Sequence, residues 1–516
     1  MFPFSLTMPS EPANASRPPF WERFWLVALL LVVFMTRAPF LDMGFGRGDA
    51  WRVGVTGKFW VEYGEYEPSR LPGFPLIETA SALSYALFRG SPITWTATNV
   101  ATCLLFCLSV FGIWLLARRW DVPVPLLVAA IYAFAPLNWV YSVETTDYLW
   151  MSSLLVMSVV ALESKGGWSP VWSGVLLGLA AAARFSAGFM LVPLLILVRT
   201  KRRSWRDVLL LALPFALVAC GFYAVVFLQL EDVKQYFDWI RYLNRVTSGL
   251  AELEGGTFAR RFLMPATDVF GPLATIALVL AGLWGLPKLL KLLLRGDRGS
   301  WVGALMAFFI MAPYLWHMHP NYWIPAIGFL VLLLGKMIRP KALMVVGALV
   351  VAANFPAWQA RVERLEWLVP MSENSFGSYI APYQNETVFT ETKVRLHLWG
   401  TVEDLLAQEM PSDWIIMSGL RLPLIKFLVR DIRRVDMPLK DGGSLGAWGS
   451  PEGGARYVYL LSPAQVEAAT ASGYHAVYLP GMENMYYAEH RVHIHEVEGV
   501  EVLTYGRGES ERANDE

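Results

Sequence analysis

The chain has 516 residues, 55% of them hydrophobic and only 17% charged, with 22 Trp and a mean hydropathy of +0.41, which excludes a single soluble domain and points to a polytopic membrane protein. Lys and Arg together number 43, as do Asp and Glu, so nothing in the charge balance marks nucleic acid as a partner. Cys103, Cys107 and Cys220 all fall inside apolar runs, where they pack as small hydrophobes, and no disulfide is expected.

The first 23 residues carry Pro3, Pro9, Pro12, Pro18 and Pro19 but neither the basic start nor the small-residue cleavage site of a signal peptide. They are expected to form a cytoplasmic tail before a retained first span. Apolar runs of about 15 to 23 residues then appear near 24–41, 95–117, 124–141, 148–162, 208–228, 269–287, 301–316, 322–338 and 342–355. Residues 171–198 form one longer run with Arg184 at its middle. A single helix there would carry Arg199, Lys201, Arg202, Arg203 and Arg206 to the outside, whereas a hairpin returns them to the cytoplasm. The positive-inside rule selects the hairpin, because Arg118, Arg119, the 288–298 cluster, Lys336, Arg339 and Lys341 then share one side. The fold class is thus an α-helical polytopic membrane protein of about 11 membrane segments, with its amino terminus inside. It occupies residues 24–355, with external loops at 42–94 and 229–267. Each hairpin arm spans about 20 Å, less than the ~30 Å hydrocarbon core, so Arg184 at the tip faces protein or a water-filled cavity. An intramembrane arginine is a functional candidate; a structural Arg bonded to carbonyls is the other account.

The first external loop is the polar exception. Arg47, Asp49 and Arg52 lie close together, and Ser69-Arg70-Leu71-Pro72-Gly73-Phe74-Pro75 is kept out of regular helix by Pro and Gly. Glu144 and Asp147 link the third and fourth spans on the same face as Asp49, three residues apart, so a helical turn places them on one side. His317 and His319 also face outward, able to donate to a phosphate or bind a metal, in a segment whose Trp and Tyr equally suit an interfacial belt. In the second external loop Tyr236, Trp239, Ile240 and Leu243 follow the spacing of an interfacial amphipathic helix.

After residue 355 the composition turns soluble. Strands are predicted at 413–418, 456–461, 475–479 and 500–505, and a helix from Pro463 to Ala471, so residues 356–516 read as a small external α/β domain. Alternation puts His493 and His495 on one strand face, a metal motif that lacks cysteine and carboxylate support. Asn385-Glu386-Thr387 is a formal glycosylation sequon, meaningful in a eukaryote.

An acidic residue just after the first span, in Gly48-Asp49-Ala50, followed by Tyr66-Glu67-Pro68-Ser69-Arg70-Leu71-Pro72-Gly73-Phe74-Pro75-Leu76, resembles the GT-C superfamily of polyprenyl-phosphate-sugar glycosyltransferases. The likeness covers roughly residues 20–355 and is closest to protein O-mannosyltransferases and lipid A aminoarabinose transferases. Gly178 to Phe185 around Arg184 and the acidic pair Glu144 and Asp147 resemble further GT-C segments. The resemblance implies an inverting transfer of a sugar from a polyprenyl-phosphate donor to a hydroxyl of a glycan, lipid or protein acceptor at the external face. It makes Asp49 the candidate base, with Glu144 and Asp147 beside it, and Arg70, Arg184, His317 and His319 candidate donor-phosphate groups. A divalent metal, Mg or Mn, held by Asp49 with Asp147 or Glu144 is an alternative source of positive charge. The membrane is a plasma membrane, or that of the ER in a eukaryote. A lipid-linked-sugar flippase, which would be expected to show related halves, and a membrane scaffold with an external binding domain are the rival accounts.

Overall fold

The computed structural model describes residues 18–229, 269–312, 320–352, 411–478, 492–497 and 500–505, with short gaps at 43, 46, 47, 71, 91, 203, 271, 419–421, 430, 451, 452, 459, 460 and 462, and the single positions 234, 237, 241, 266 and 406. Arg47, His317, His319, the sequon at Asn385 and most of the amphipathic segment at 236–243 lie outside the described residues. The chain divides into two compact units, Met1–Lys393 and Val394–Glu516.

The first unit is helical. α1 (Phe20–Arg37) continues into a 3-10 turn at Ala38–Phe40, and α2 (Gly48–Tyr63), α3 (Pro75–Phe88), α4 (Pro92–Arg119), α5 (Pro125–Phe134), α6 (Pro136–Tyr141), α7 (Asp147–Leu162) and α8 (Ser169–Ala183) follow. A 3-10 stretch at Phe185–Met190 leads to α9 (Leu191–Arg202) and α10 (Trp205–Gln229). Then come α11 (Pro272–Leu294), α12 (Arg298–Met311), a 3-10 turn at Pro320–Trp323, α13 (Ile324–Met337) and α14 (Pro340–Ala352). Among the described residues, the stretches Phe20–Phe40, Ile93–Arg119, Trp205–Leu228 and Leu273–Leu294 are long and apolar enough to cross a membrane, and shorter apolar helices include α5, α7, α8, α12 and α14.

Three local features position the site. The stretch expected as the first external loop is mostly helix: α2 and α3 pack so closely that a Cβ on Gly57 would lie 2.7 Å from the backbone N of Ala82, and the described residues of 64–74 between them are irregular. Helices form there because the segment supplies Asp49 in the first turn of α2 and Pro75 at the start of α3, both favourable at helix N-termini.

The span expected at 124–141 is broken at Ala135. Pro136 has no N–H for the Tyr132 carbonyl and biases the preceding residue away from helix, and Ala135 accordingly sits at φ −55° and ψ 123°. Side chains take the freed carbonyls: Asn138 Nδ2 donates to Tyr132 O at 2.9 Å and Arg37 Nη2 to Ala133 O at 2.5 Å. Arg37 is fully buried, stacks 4.9 Å from the Trp139 ring centroid, and donates from Nε to Ser142 Oγ at 3.0 Å. The break thereby steers the chain into the segment that delivers Asp147.

The run at 171–198 is two helices, as predicted, separated at Arg184. A Cβ on Gly174 would collide with the Leu211 carbonyl and one on Gly178 would meet Val218, while Tyr223 Oη donates to Ala181 O at 3.3 Å. Sequence number rises together along both helices, so α8 and α10 run parallel and residues 184–204 must return to the starting end, as a hairpin does.

The second unit contains β1 (Trp414–Met417), α15 (Leu422–Leu428), β2 (Arg433–Pro438), β3 (Ser444–Ser450), β4 (Gly453–Val458), α16 (Pro463–Ala471), β5 (His475–Tyr478), β6 (Val492–Val497) and β7 (Val500–Tyr505). They form a sheet in the order β2-β3-β4-β1-β5-β7-β6. β1 is parallel to β4 and β5, and the outer pairs are antiparallel. Val466 and Ala469 of α16 pack with Ile415, Met417 and Met437 on one face, and Lys426 of α15 lies over Trp448 of β3. The four predicted strands are present as β1, β4, β5 and β7, β4 beginning three residues earlier than predicted. β2, β3 and β6 escape the apolar pattern: β2 and β6 are the sheet edges, where charge and Pro are the normal protection, and β3 is rich in Gly and Ser.

Candidate active site

Four side chains from four places in the chain converge. Asp49 stands in the first turn of α2, Arg70 in the 64–74 loop, Asp147 at the first position of α7 and Arg184 where α8 ends. Arg70 donates from Nη1 to Asp49 Oδ2 and from Nη2 to Asp147 Oδ1, both at 2.5 Å. Arg184 Nη1 donates to the other oxygen of Asp147. Arg52 adds a looser ion pair, its Nη1 3.7 Å from Asp49 Oδ1. Aromatic faces support both guanidiniums: Arg70 lies 4.7 Å from the Phe74 centroid, and Arg184 lies 4.2 Å from Tyr148 and 5.3 Å from Tyr322.

Accessibility separates the two carboxylates. The Asp147 side chain is fully buried, while 42% of the Asp49 side chain is exposed. The cluster therefore opens to solvent at Asp49 and is anchored at Asp147. Burial opposes the charge on Arg70, but the carboxylates of Asp147 and Asp49 outweigh it and hold the guanidinium above its ordinary pKa. Three guanidiniums (Arg52, Arg70, Arg184) against two carboxylates leave one net positive charge. An anion such as a phosphate suits that excess.

A divalent metal between Asp49 and Asp147 fits less well. Arg70 already occupies an oxygen of each, and among the described residues no three His, Cys, Asp or Glu side chains gather as a metal site. A cation could enter only by displacing Arg70. Glu144 is fully buried, three residues before Asp147.

Uncharged residues absent from the sequence reading hold the two aspartates in register. Asn99 on α4 donates from Nδ2 to Leu41 O at 3.0 Å and to Gly44 O at 2.7 Å, the turn that leads to Asp49. Its Oδ1 accepts from Thr145 Oγ1 at 2.8 Å, and the Thr145 N–H donates to Phe45 O at 3.2 Å, in the segment that leads to Asp147. A buried Asn in an apolar run was the available signal, since such a group must find partners.

The profile of Glycosyltransferase family 87 matches residues 81–312. Among solved structures, ArnT from Cupriavidus metallidurans in the apo state is 14% identical, with 94% of this chain and 98% of that chain covered and a TM-score of 0.53. ArnT from the same organism bound to undecaprenyl phosphate is likewise 14% identical, with 95% and 98% covered and a TM-score of 0.51. No curated protein matches the sequence. Over residues 81–312 the chain is similar to a glycosyltransferase family, and its fold is similar to that of ArnT. Neither a transporter nor a scaffold accounts for the match to a glycosyltransferase profile. The family match begins at Ser81 and includes Asp147 and Arg184; Asp49 and Arg70 precede it.

Proposed function

We propose that this enzyme transfers one sugar from a polyprenyl-phosphate donor to an acceptor hydroxyl, with inversion at the anomeric carbon, at the external face of the membrane. The observation that carries this is the Arg70 bridge, which places a bidentate phosphate-binding fork between an accessible carboxylate and a buried one. The acceptor hydroxyl attacks the anomeric carbon as Asp49 takes its proton. The bond between that carbon and the phosphate oxygen breaks, and Arg70 and Arg184 stabilise the negative charge on the departing polyprenyl phosphate. Asp147, out of reach of solvent, orients both arginines. Glu144 acts through its neighbours, and His317 and His319 are further donors to the phosphate. Mg or Mn between Asp49 and Asp147 would supply the same positive charge after Arg70 had moved aside.

The ArnT structure with undecaprenyl phosphate supports a polyprenyl phosphate as the lipid part of the donor. The basic clusters and the parallel run of α8 and α10 support a cytoplasmic amino terminus and an external carboxyl-terminal domain, in a plasma membrane or, in a eukaryote, that of the ER. The acceptor is a glycan, lipid or protein hydroxyl. Purified protein given a series of polyprenyl-phosphate sugars and envelope acceptors should release polyprenyl phosphate in step with sugar transfer. Transfer from a nucleotide sugar with no polyprenyl phosphate released would overturn the proposal.

A further inference from the structure

Arg70 lies on the irregular segment 64–74, and chain of this kind is ordinarily soft. One carboxylate organises it. Glu78, fully buried in the first turn of α3, accepts on Oε1 from the Ser69 N–H at 2.8 Å and from Ser69 Oγ at 2.5 Å. On Oε2 it accepts from the Tyr66 hydroxyl and from the Phe74 N–H at 3.2 Å. Ser69 immediately precedes Arg70, and Phe74 supplies the ring beneath the Arg70 guanidinium, 4.7 Å away. A single side chain thus fixes the backbone before Arg70 and the surface on which its fork rests.

We propose that Glu78 is the positioning residue for Arg70, holding its guanidinium where the donor phosphate binds; this rests on the reading of Arg70 as the phosphate-binding group. Sequence proximity would favour an ion pair between Arg70 and Glu78. The structure instead sends Arg70 to the two aspartates and fills Glu78 with loop donors. A carboxylate matches this arrangement, because four donors meet the roughly four lone-pair sites of its two oxygens. Glutamine has the same shape, but its NH2 cannot accept, so it would turn a donor toward either the Ser69 pair or the Tyr66 and Phe74 pair. The loop would then let go on one flank, and a displacement of about 1 Å at a positioning group is enough to cost ~100-fold in rate.

The test uses the full-length protein in detergent with a polyprenyl phosphate as probe, comparing Glu78→Gln, Arg70→Ala and the double variant for affinity, turnover and melting temperature. Glu78→Gln should weaken binding about tenfold and slow turnover, yet add less than about twofold in the Arg70→Ala background, because both substitutions remove one function. Ser69→Ala keeps the backbone donor and loses one bond, so it should give a smaller loss in the same direction at unchanged melting temperature, which keeps the test decisive if Glu78→Gln folds poorly. Losses that multiply in the double variant, or a lowered melting point with affinity and turnover intact in Glu78→Gln and Ser69→Ala, would overturn the positioning role. Normal probe binding by Arg70→Ala would instead overturn the reading of Arg70, and the positioning role with it.

Discussion

Arg70 and Asp147 are 77 residues apart in the chain and meet at 2.5 Å. Since Arg70 also holds Asp49 and Asp147 also holds Arg184, the four groups form one chain of alternating charge, open to solvent at the Asp49 end.

The two aspartates should therefore fail in different ways. Asp49→Asn, at the exposed end, should lower turnover by about 100-fold or more, the usual weight of a general base, with an unchanged melting temperature. Asp147→Asn removes the buried counter-charge of two arginines, and should cost about 3 kcal/mol of stability as well as activity. Turnover and thermal unfolding of both purified variants check this. Near-normal turnover of Asp49→Asn would remove it as the base.

Arg70→Ala should weaken donor affinity and slow turnover together, because the same fork serves the bound and the departing phosphate. Lys should restore only part, since an ammonium brings charge without two parallel donors. Unchanged affinity with a lowered melting point would assign Arg70 to the loop alone.

Asn99→Ala leaves the Leu41 and Gly44 carbonyls without their side-chain donor and cuts the tie between α4 and the Thr145 hydroxyl through Asn99, leaving that hydroxyl only Thr98 Oγ1 at 2.9 Å. Unpaired buried groups of this kind cost about 1 to 3 kcal/mol. Because the turns before Asp49 and Asp147 both lose their tie, turnover should fall further than the unfolded fraction explains. Comparison of turnover well below the melting point with circular dichroism of the same sample checks it.

Chelation tests the charge of the cluster. With one net positive charge already present, transfer should continue in EDTA. Loss of turnover that Mg or Mn restores would place a metal between Asp49 and Asp147 and require Arg70 to move.

Topology is checked by labelling. In a variant lacking the native cysteines, Ser204→Cys should react only from the cytoplasmic side and Lys440→Cys only from outside. Reaction of residue 204 from outside would mean that residues 171–198 cross once, against the parallel run of α8 and α10.

Much of the architecture was legible because burial in lipid writes itself into composition: long apolar runs, basic clusters at one end, and Arg184 as an interruption that forces a hairpin. Arg184 was legible as a charge inside an apolar run, costly unless partnered, whereas Asp49, Arg70 and Asp147 stood out as polar residues in segments that resemble those of GT-C proteins. Less was legible where the same local pattern supports two structures. The helices at Gly48–Tyr63 and Pro75–Phe88 carry enough polar residues to look like loop, and the break at Ala135 lies in a run whose apolar character is continuous.

By itself, then, the sequence determined which segments leave water and which few charges must find partners, since hydropathy and charge are properties of each residue. Which partner each charge takes was decided only by tertiary structure. Glu78 is nearer to Arg70 in the chain than Asp147 is, and an ion pair between neighbours is what spacing favours. Yet Glu78 is filled by Ser69, Tyr66 and Phe74, and Arg70 reaches across 77 residues to Asp147. The pairing follows from where α3 and α7 come to rest. A buried carboxylate takes whichever donors the packing brings within about 3 Å of it, and that is a property of the assembled helices.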